Sequence, residues 1–163
     1  MPRLYLLVLL CTLVSICVVI TNQVVHLINR EKHYIRLSKN LANNSISIDD
    51  FLALAKIYTL KKSWFSCIKL LEKQLISYKH FSHICYNAIG FCYYNMKFLN
   101  LSKTYYLYSI QSKSDYILAL NNLAKVYKKI GLHNQAREVY ESILYYQSND
   151  SVAKHELTNK KSG

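Results

Sequence analysis

The sequence predicts an all-α protein. One apolar N-terminal helix of membrane-spanning length leads into a three-repeat α-solenoid that ends in a short capping helix. Three observations carry this. Residues 4–29 contain no charged side chain, and "LYLLVLLCTLVSICVVI" is almost wholly apolar. Residues 48–150 repeat one pattern of apolar, small and aromatic positions at shifts of 34 and 35. No stretch alternates apolar and polar residues as a half-buried strand does.

The first element is residues 1–29. About 20 apolar residues, each rising about 1.5 Å, cover a hydrocarbon core of about 30 Å. A secretory signal has a shorter apolar core and an A-x-A-like cleavage site. No such site follows this run, so the expectation is an uncleaved transmembrane anchor. Arg3 precedes it, whereas Arg30, Lys32, Arg36 and Lys39 follow. The heavier basic flank stays on the side of synthesis, so the C-terminal part is expected in the stroma or cytosol. Residues 30–47 read as a short helical stem, then a polar loop at "ANNSIS".

The repeats follow as 48–82, 83–116 and 117–150, each a pair of helices. Ser47 with Asp50 has the form of a capping box before "FLALAKIY". "LAKIY" at 54–58 returns as "LAKVY" at 123–127, and the middle copy reads "IGFCY". In the third copy Leu120, Leu123, Ala124 and Tyr127 recur at helical spacing, Gly131 reads as a stop, and Ala136, Val139, Tyr140 and Ile143 form a second stripe. Small residues at Ala55, Gly90 and Ala124 let the first helix of each pair approach the second, where Cys67, Ser102 and Ala136 face it. Residues 151–163 read as a capping helix and tail, with Val152, Ala153 and Leu157 turned inward.

These positions resemble the tetratricopeptide repeat (TPR). Its large–Leu–small–Tyr signature is matched by Phe51, Leu54, Ala55 and Tyr58, by Tyr86, Ile89, Gly90 and Tyr93, and by Leu120, Leu123, Ala124 and Tyr127. Its small residue and aromatic on the second helix are matched by Cys67 and Leu71, Ser102 and Tyr106, and Ala136 and Tyr140. The motif's Trp is absent, and Lys79, Ser114 and Ser148 stand where its closing Pro falls. The resemblance implies a face lined by first helices that binds proteins. On it fall Lys56, Asn87, Phe91, Tyr94, Asn121, Lys125 and Lys128, with Lys129 on the rim. The TPR subclass that binds chaperone tails has a Lys and Asn, then two basic residues, where this chain has Leu52 and Lys56, then Leu118 and Asn122.

The 163 residues carry a net charge of +12, which favours acidic proteins, anionic lipids or nucleic acid. Five cysteines form no C-x-x-C pair and read as unpaired thiols in a reducing compartment. His80, His83 and Cys85 lack a fourth ligand at metal spacing, so no metal is expected. No phosphate loop or nucleophile motif is present, and Asp49 and Asp50 read as a helix start, so no enzyme, cofactor or small-molecule substrate is expected. Trp64, beside Lys61, Lys62 and Phe65, reads as packed or as a contact with a membrane or partner.

One N-terminal span, three TPR-like repeats, this length and an AT-rich composition together resemble the plastid-encoded hypothetical chloroplast reading frame thirty-seven family. The resemblance implies a thylakoid-bound, stroma-facing auxiliary factor for photosystem I assembly or stability, with photosystem I subunits or assembly intermediates as partners. Two other readings are a bacterial or organellar membrane-anchored TPR adaptor for secretion or envelope assembly, and an RNA-binding helical-repeat protein.

Overall fold

The computed structural model describes residues 2–42, 47–77 and 79–158, and no strand occurs among them. Eight α-helices follow in order: α1 Pro2–Ala42, α2 Ile48–Leu60, α3 Trp64–Ser77, α4 Ser82–Asn95, α5 Leu99–Ser112, α6 Ile117–Lys129, α7 His133–Tyr146 and α8 Ser151–Thr158. The chain forms two compact units, Met1–Ile57 and Tyr58–Gly163.

In the first unit, α1 is longer than the expected span. Anchor and stem are one unbroken helix to Ala42, and the stretch 43–46 of the polar loop lies outside the described residues. The part beginning at Leu6 is long and apolar enough to cross a membrane by length and composition. Its hydroxyls turn back onto the helix: Thr12 donates to Leu9 O, Ser15 to Cys11 O and Thr21 to Cys17 O, at 2.7–2.8 Å. Such bonds spare these side chains the cost of an unmet polar group in an apolar surround. At the start of α2 the Asp50 N–H donates to Ser47 Oγ at 3.1 Å, so Ser47 caps the helix. Asp49 and Asp50 lie in its first turn, where negative charge suits the helix dipole.

In the second unit, successive helices pack side by side, and α4 also touches α6. The α4–α5 seam shows why the small positions matter. Gly90 and Ser102 are buried, and Ser102 Oγ donates to the Gly90 carbonyl at 2.9 Å. A Cβ on Gly90 would lie 2.8 Å from two ring carbons of Tyr106, whose side chain is only 1% exposed. At the other end of the seam Ser109 Oγ donates to His83 O at 2.7 Å. Burial pushes the Tyr106 phenol above its usual range. The last pair is built likewise. Leu120, Ala124, Tyr140 and Ile143 form one cluster, and Ala153 of α8 joins it.

The turn between paired helices is identical three times. The Ser63 N–H bonds to Tyr58 O, Phe98 to Tyr93 O and Leu132 to Tyr127 O, at 2.9–3.0 Å. The residue before each donor is left-handed: Lys62 (φ 56°), Lys97 (φ 70°) and Gly131 (φ 80°). This is the Schellman closure of a helix end, and it recurs at the repeat period. Only the third copy uses the residue that sterics favour there. The motif tyrosines Tyr58, Tyr93 and Tyr127 thus provide the carbonyls that close their own helices.

Helix α8 continues the period. It begins 34 residues after α6, which begins 35 after α4, so α8 stands in the register of a fourth first helix. Asp150 Oδ1 accepts from the Ala153 N–H at 2.8 Å and caps it. Ala153 is fully buried and Leu157 packs on the same cluster. Val152, expected inward, is 48% exposed, because Ala153 holds the facing position and its neighbour is turned about 100° away.

Two stability changes follow from this geometry. Gly90→Ala gains up to about 1 kcal/mol of helix propensity but drives a methyl into Tyr106, and overpacking costs about 1–3 kcal/mol. A net fall of several degrees in the thermal midpoint is expected, and an unchanged midpoint would rule out the tight seam. Lys97→Gly should act oppositely, gaining about 1 kcal/mol by removing a left-handed L-residue. Circular dichroism melts of both variants check the pair.

Candidate protein-binding face

The first helices carry the expected binding residues, and the structure sorts these into different roles. On α4 the Phe91 ring is 42% exposed and meets Trp64 of α3 edge-on, with centroids 6.2 Å apart. Trp64 is half-buried and packs on Phe91. Tyr94, one turn on, is half-buried and rests partly on the cluster of Tyr106, Leu123 and Val126. The ammonium of Lys129 lies 4.7 Å from the centre of its ring, a cation–π contact between α4 and α6. Lys125 is exposed on α6.

Asn87 and Asn121 have more structural roles than the sequence suggests. Asn87 is 7% exposed, and its Oδ1 accepts from Asn122 Nδ2 at 2.9 Å. This bond ties α4 to α6. Asn121 Oδ1 is buried without a hydrogen-bond partner. Lys128 is committed elsewhere: its Nζ donates to both carboxylate oxygens of Glu156 on α8 at 2.7 Å. Lys56 is exposed on α2, in the N-terminal unit. The contacts that the structure shows on these helices are Phe91 with Trp64 and Tyr94 with Lys129.

Sequence reasoning missed three partners. Asn122 lies 35 residues after Asn87, one repeat on, so the period itself signals the pair. Glu156 and Lys128 are 28 apart, short of the 34–35 period, so the repeat does not signal that pair. Trp64 opens α3, and nothing local places its ring on Phe91.

Over nearly its whole length the chain is similar to a protein of Porphyra purpurea, 27% identical over 163 residues that cover 94% of this chain and 93% of that one. A protein of Pyropia yezoensis is 25% identical over 161 residues, covering 94% and 90%. One of Cyanophora paradoxa is 27% identical over 127 residues, covering 76% and 73%. Each carries the same name. These relatives are ycf37 proteins. The name agrees with the family that the architecture resembles, and the two ycf37 alignments at 94% coverage span both α1 and the repeats. No protein-family model matches the chain.

Among solved structures, a crystal structure of MamA superposes with a TM-score of 0.66 at 20% identity, covering 76% of this chain and 72% of that one. The first TPR of Spaghetti (RPAP3), bound to an HSP90 peptide, superposes at 0.61 with 14% identity, covering 71% and 96%. The second TPR domain of human RPAP3, in complex with an HSP70 peptide, gives 0.60 at 12% identity, covering 69% and 93%. What these share with this chain is the helical-repeat fold.

The Asn87–Asn122 bond can be isolated. Asn122→Ala leaves Asn87 Oδ1 buried and unpaired, which typically costs about 1–3 kcal/mol. The double change Asn87→Ala with Asn122→Ala removes both groups and should recover part of that loss. Urea melts of the two single variants and the double close the cycle; strictly additive losses would dismiss the bond.

Proposed function

We propose that this protein is a membrane-anchored protein-interaction scaffold without chemistry of its own. The observation that carries the proposal is the first-helix face of α4 and α6, where an exposed Phe91 lies one turn from Tyr94, itself capped by Lys129, and α6 also carries an exposed Lys125. A ring wall supplies buried contact area, and cations set the orientation and encounter rate of an acidic partner. This arrangement suits an acidic segment with an apolar anchor residue. The chain lacks the residue set of the chaperone-tail subclass, so its client is of another kind. The length and composition of α1 support anchoring, with the basic flank at Lys32, Arg36 and Lys39 holding the repeats on the side of synthesis.

The ycf37 relatives support a plastid setting. Together with the family resemblance, they favour a thylakoid membrane with the repeats in the stroma and a client among the subunits or assembly intermediates of photosystem I. A deletion strain tests the setting. Accumulated photosystem I should fall relative to photosystem II, and an unchanged ratio under ordinary and stressed light would turn the reading to a general membrane adaptor. Phe91→Ala with Tyr94→Ala tests the face. Capture of client from solubilised membranes should fall at least tenfold, with helicity retained; Lys125→Glu should weaken capture and flatten its salt dependence. Full capture by the double variant would remove the face from the proposal.

A further inference from the structure

The back of the middle repeat is unlike its neighbours. The outward positions of α3 are Ser66, Lys69, Glu72 and Lys73, and those of α7 are Gln135, Glu138, Glu141 and Ser142, all exposed. At the same repeat positions α5 has Leu101, Thr104, Leu107 and Tyr108. Leu101, Leu107 and Tyr108 are 41–46% exposed, and Phe98 at the head of the helix is 52% exposed. Phe98, Leu101, Tyr105 and Tyr108 recur at helical spacing and make one stripe. Its rings lean on two α4 tyrosines. Tyr105 stacks on Tyr93 at 5.3 Å, Tyr108 meets Tyr86 at 5.6 Å, and Phe98 meets Tyr93 edge-on at 6.4 Å. A solvated helix face does not need this composition, and an exposed apolar face of this kind marks a contact.

The surrounding charge is mostly basic, although the Glu72 carboxylate of α3 lies against Tyr105 of the stripe. Between Glu72 and Asp115 the sequence has no acidic residue, whereas Lys73, Lys79, Lys97, Lys103 and Lys113 fall within that stretch. Lys97 and Lys113 are exposed at the two ends of α5, and Lys103 is half-buried along it. Tyrosines with apolar bodies and polar tips, set among lysines, match the chemistry of a bilayer's headgroup zone. A basic apolar surface gains from anionic lipid in two ways, by burying rings at the acyl boundary and by pairing lysines with headgroups.

We infer that the outer face of α5, with Tyr86 and Tyr93 of α4, docks on an anionic lipid surface. This rests on the anchoring read from α1, which keeps the repeats at high effective concentration near the bilayer, and it is independent of what the first-helix face binds. Docking by α5 leaves that face free for a client.

The test uses the full chain in nanodiscs of phosphatidylcholine, with or without phosphatidylglycerol, each carrying a phospholipid with a diazirine high on its acyl chain. After photolysis, adducts are mapped by peptide mass spectrometry. Adducts on α1 are expected in every disc. Adducts on residues 98–108 should appear in anionic discs and fall several-fold in neutral ones. Leu101→Ser with Tyr108→Ser should lose the second set and keep the first. If that variant melts early, Lys103→Glu with Lys113→Glu makes the same comparison on a folded chain. Label on α1 alone in anionic discs would overturn the docking and leave the anchor standing. Label absent from α1 would overturn the anchor. Equal α5 label in neutral and anionic discs, or copy-to-copy cross-links through 98–108 in its place, would overturn the lipid assignment.

Discussion

The approach of α4 to α5 at Gly90 is the contact on which the second unit depends. With no Cβ at that position, the Tyr106 ring fills the space directly above the backbone, and Ser102 bonds to the carbonyl beneath. Interhelical distance in a packed pair is set by the side chains at the contact. Here the pair is as close as a ring on a bare backbone permits. That spacing fixes the tilt at which α4 presents Phe91 and Tyr94 on one side and Tyr86 and Tyr93 on the other. A larger residue at the seam would therefore disturb both faces as well as the core. The Ser109–His83 bond and the Ser102–Gly90 bond fasten the seam at two heights with hydroxyls, groups small enough not to widen it.

Repeat stacking converts that local contact into a surface. Each pair buries its apolar side on the next, and α8 enters as a shortened first helix on the period of its predecessors. Its buried Ala153 completes the last cluster, and its Glu156 takes the Lys128 cation. In this way α8 both caps the core and neutralises the edge of the first-helix face. Lys128 is thus engaged by α8, Lys129 lies over the Tyr94 ring, and Lys125 stays exposed.

The helices, the small seam positions and the apolar N-terminal run were legible in the sequence because each rests on a local pattern, whereas the continuation of α1 to Ala42 was not. The spacing of Gly90, Ser102 and Tyr106 already implies a close seam, and Ala124 marks its equivalent in the last pair. The left-handed turns were legible only at Gly131. Lys62 and Lys97 hold the same conformation with residues that carry no local signal for it, and only the repeat period points to them. Side-chain pairing between repeats was less legible. Asn87, Phe91 and Lys128 occupy first-helix positions as expected, yet Asn87 is spent on Asn122 and Lys128 on Glu156, and Phe91 packs on Trp64. Whether such a side chain faces solvent or its neighbour depends on the rotation between successive pairs, and residue spacing within one pair does not encode it. Val152 and Ala153 show the same limit at the scale of one residue.

Charge is divided along the solenoid in a way that follows from how each pair is held together. The last repeat and α8 contain Glu138, Glu141, Asp150 and Glu156, and ion pairs such as Lys128–Glu156 and Arg137–Glu141 offset part of its basic charge. In the middle repeat Asp115 is the sole acid in the sequence, and the contacts that join α4 to α5 are uncharged: hydroxyl-to-carbonyl bonds, a bare glycine seam and a run of ring contacts. Exposed ion pairs contribute little to stability, so the middle repeat loses little cohesion by lacking them. What changes is the field. A lysine outside an ion pair projects its potential outward over roughly a Debye length, about 8 Å at physiological salt, whereas Lys128 and Arg137 are offset at short range. Lys97, Lys103 and Lys113 lie along or at the ends of the helix that carries the exposed rings, so apolar contact and electrostatic attraction act at the same place.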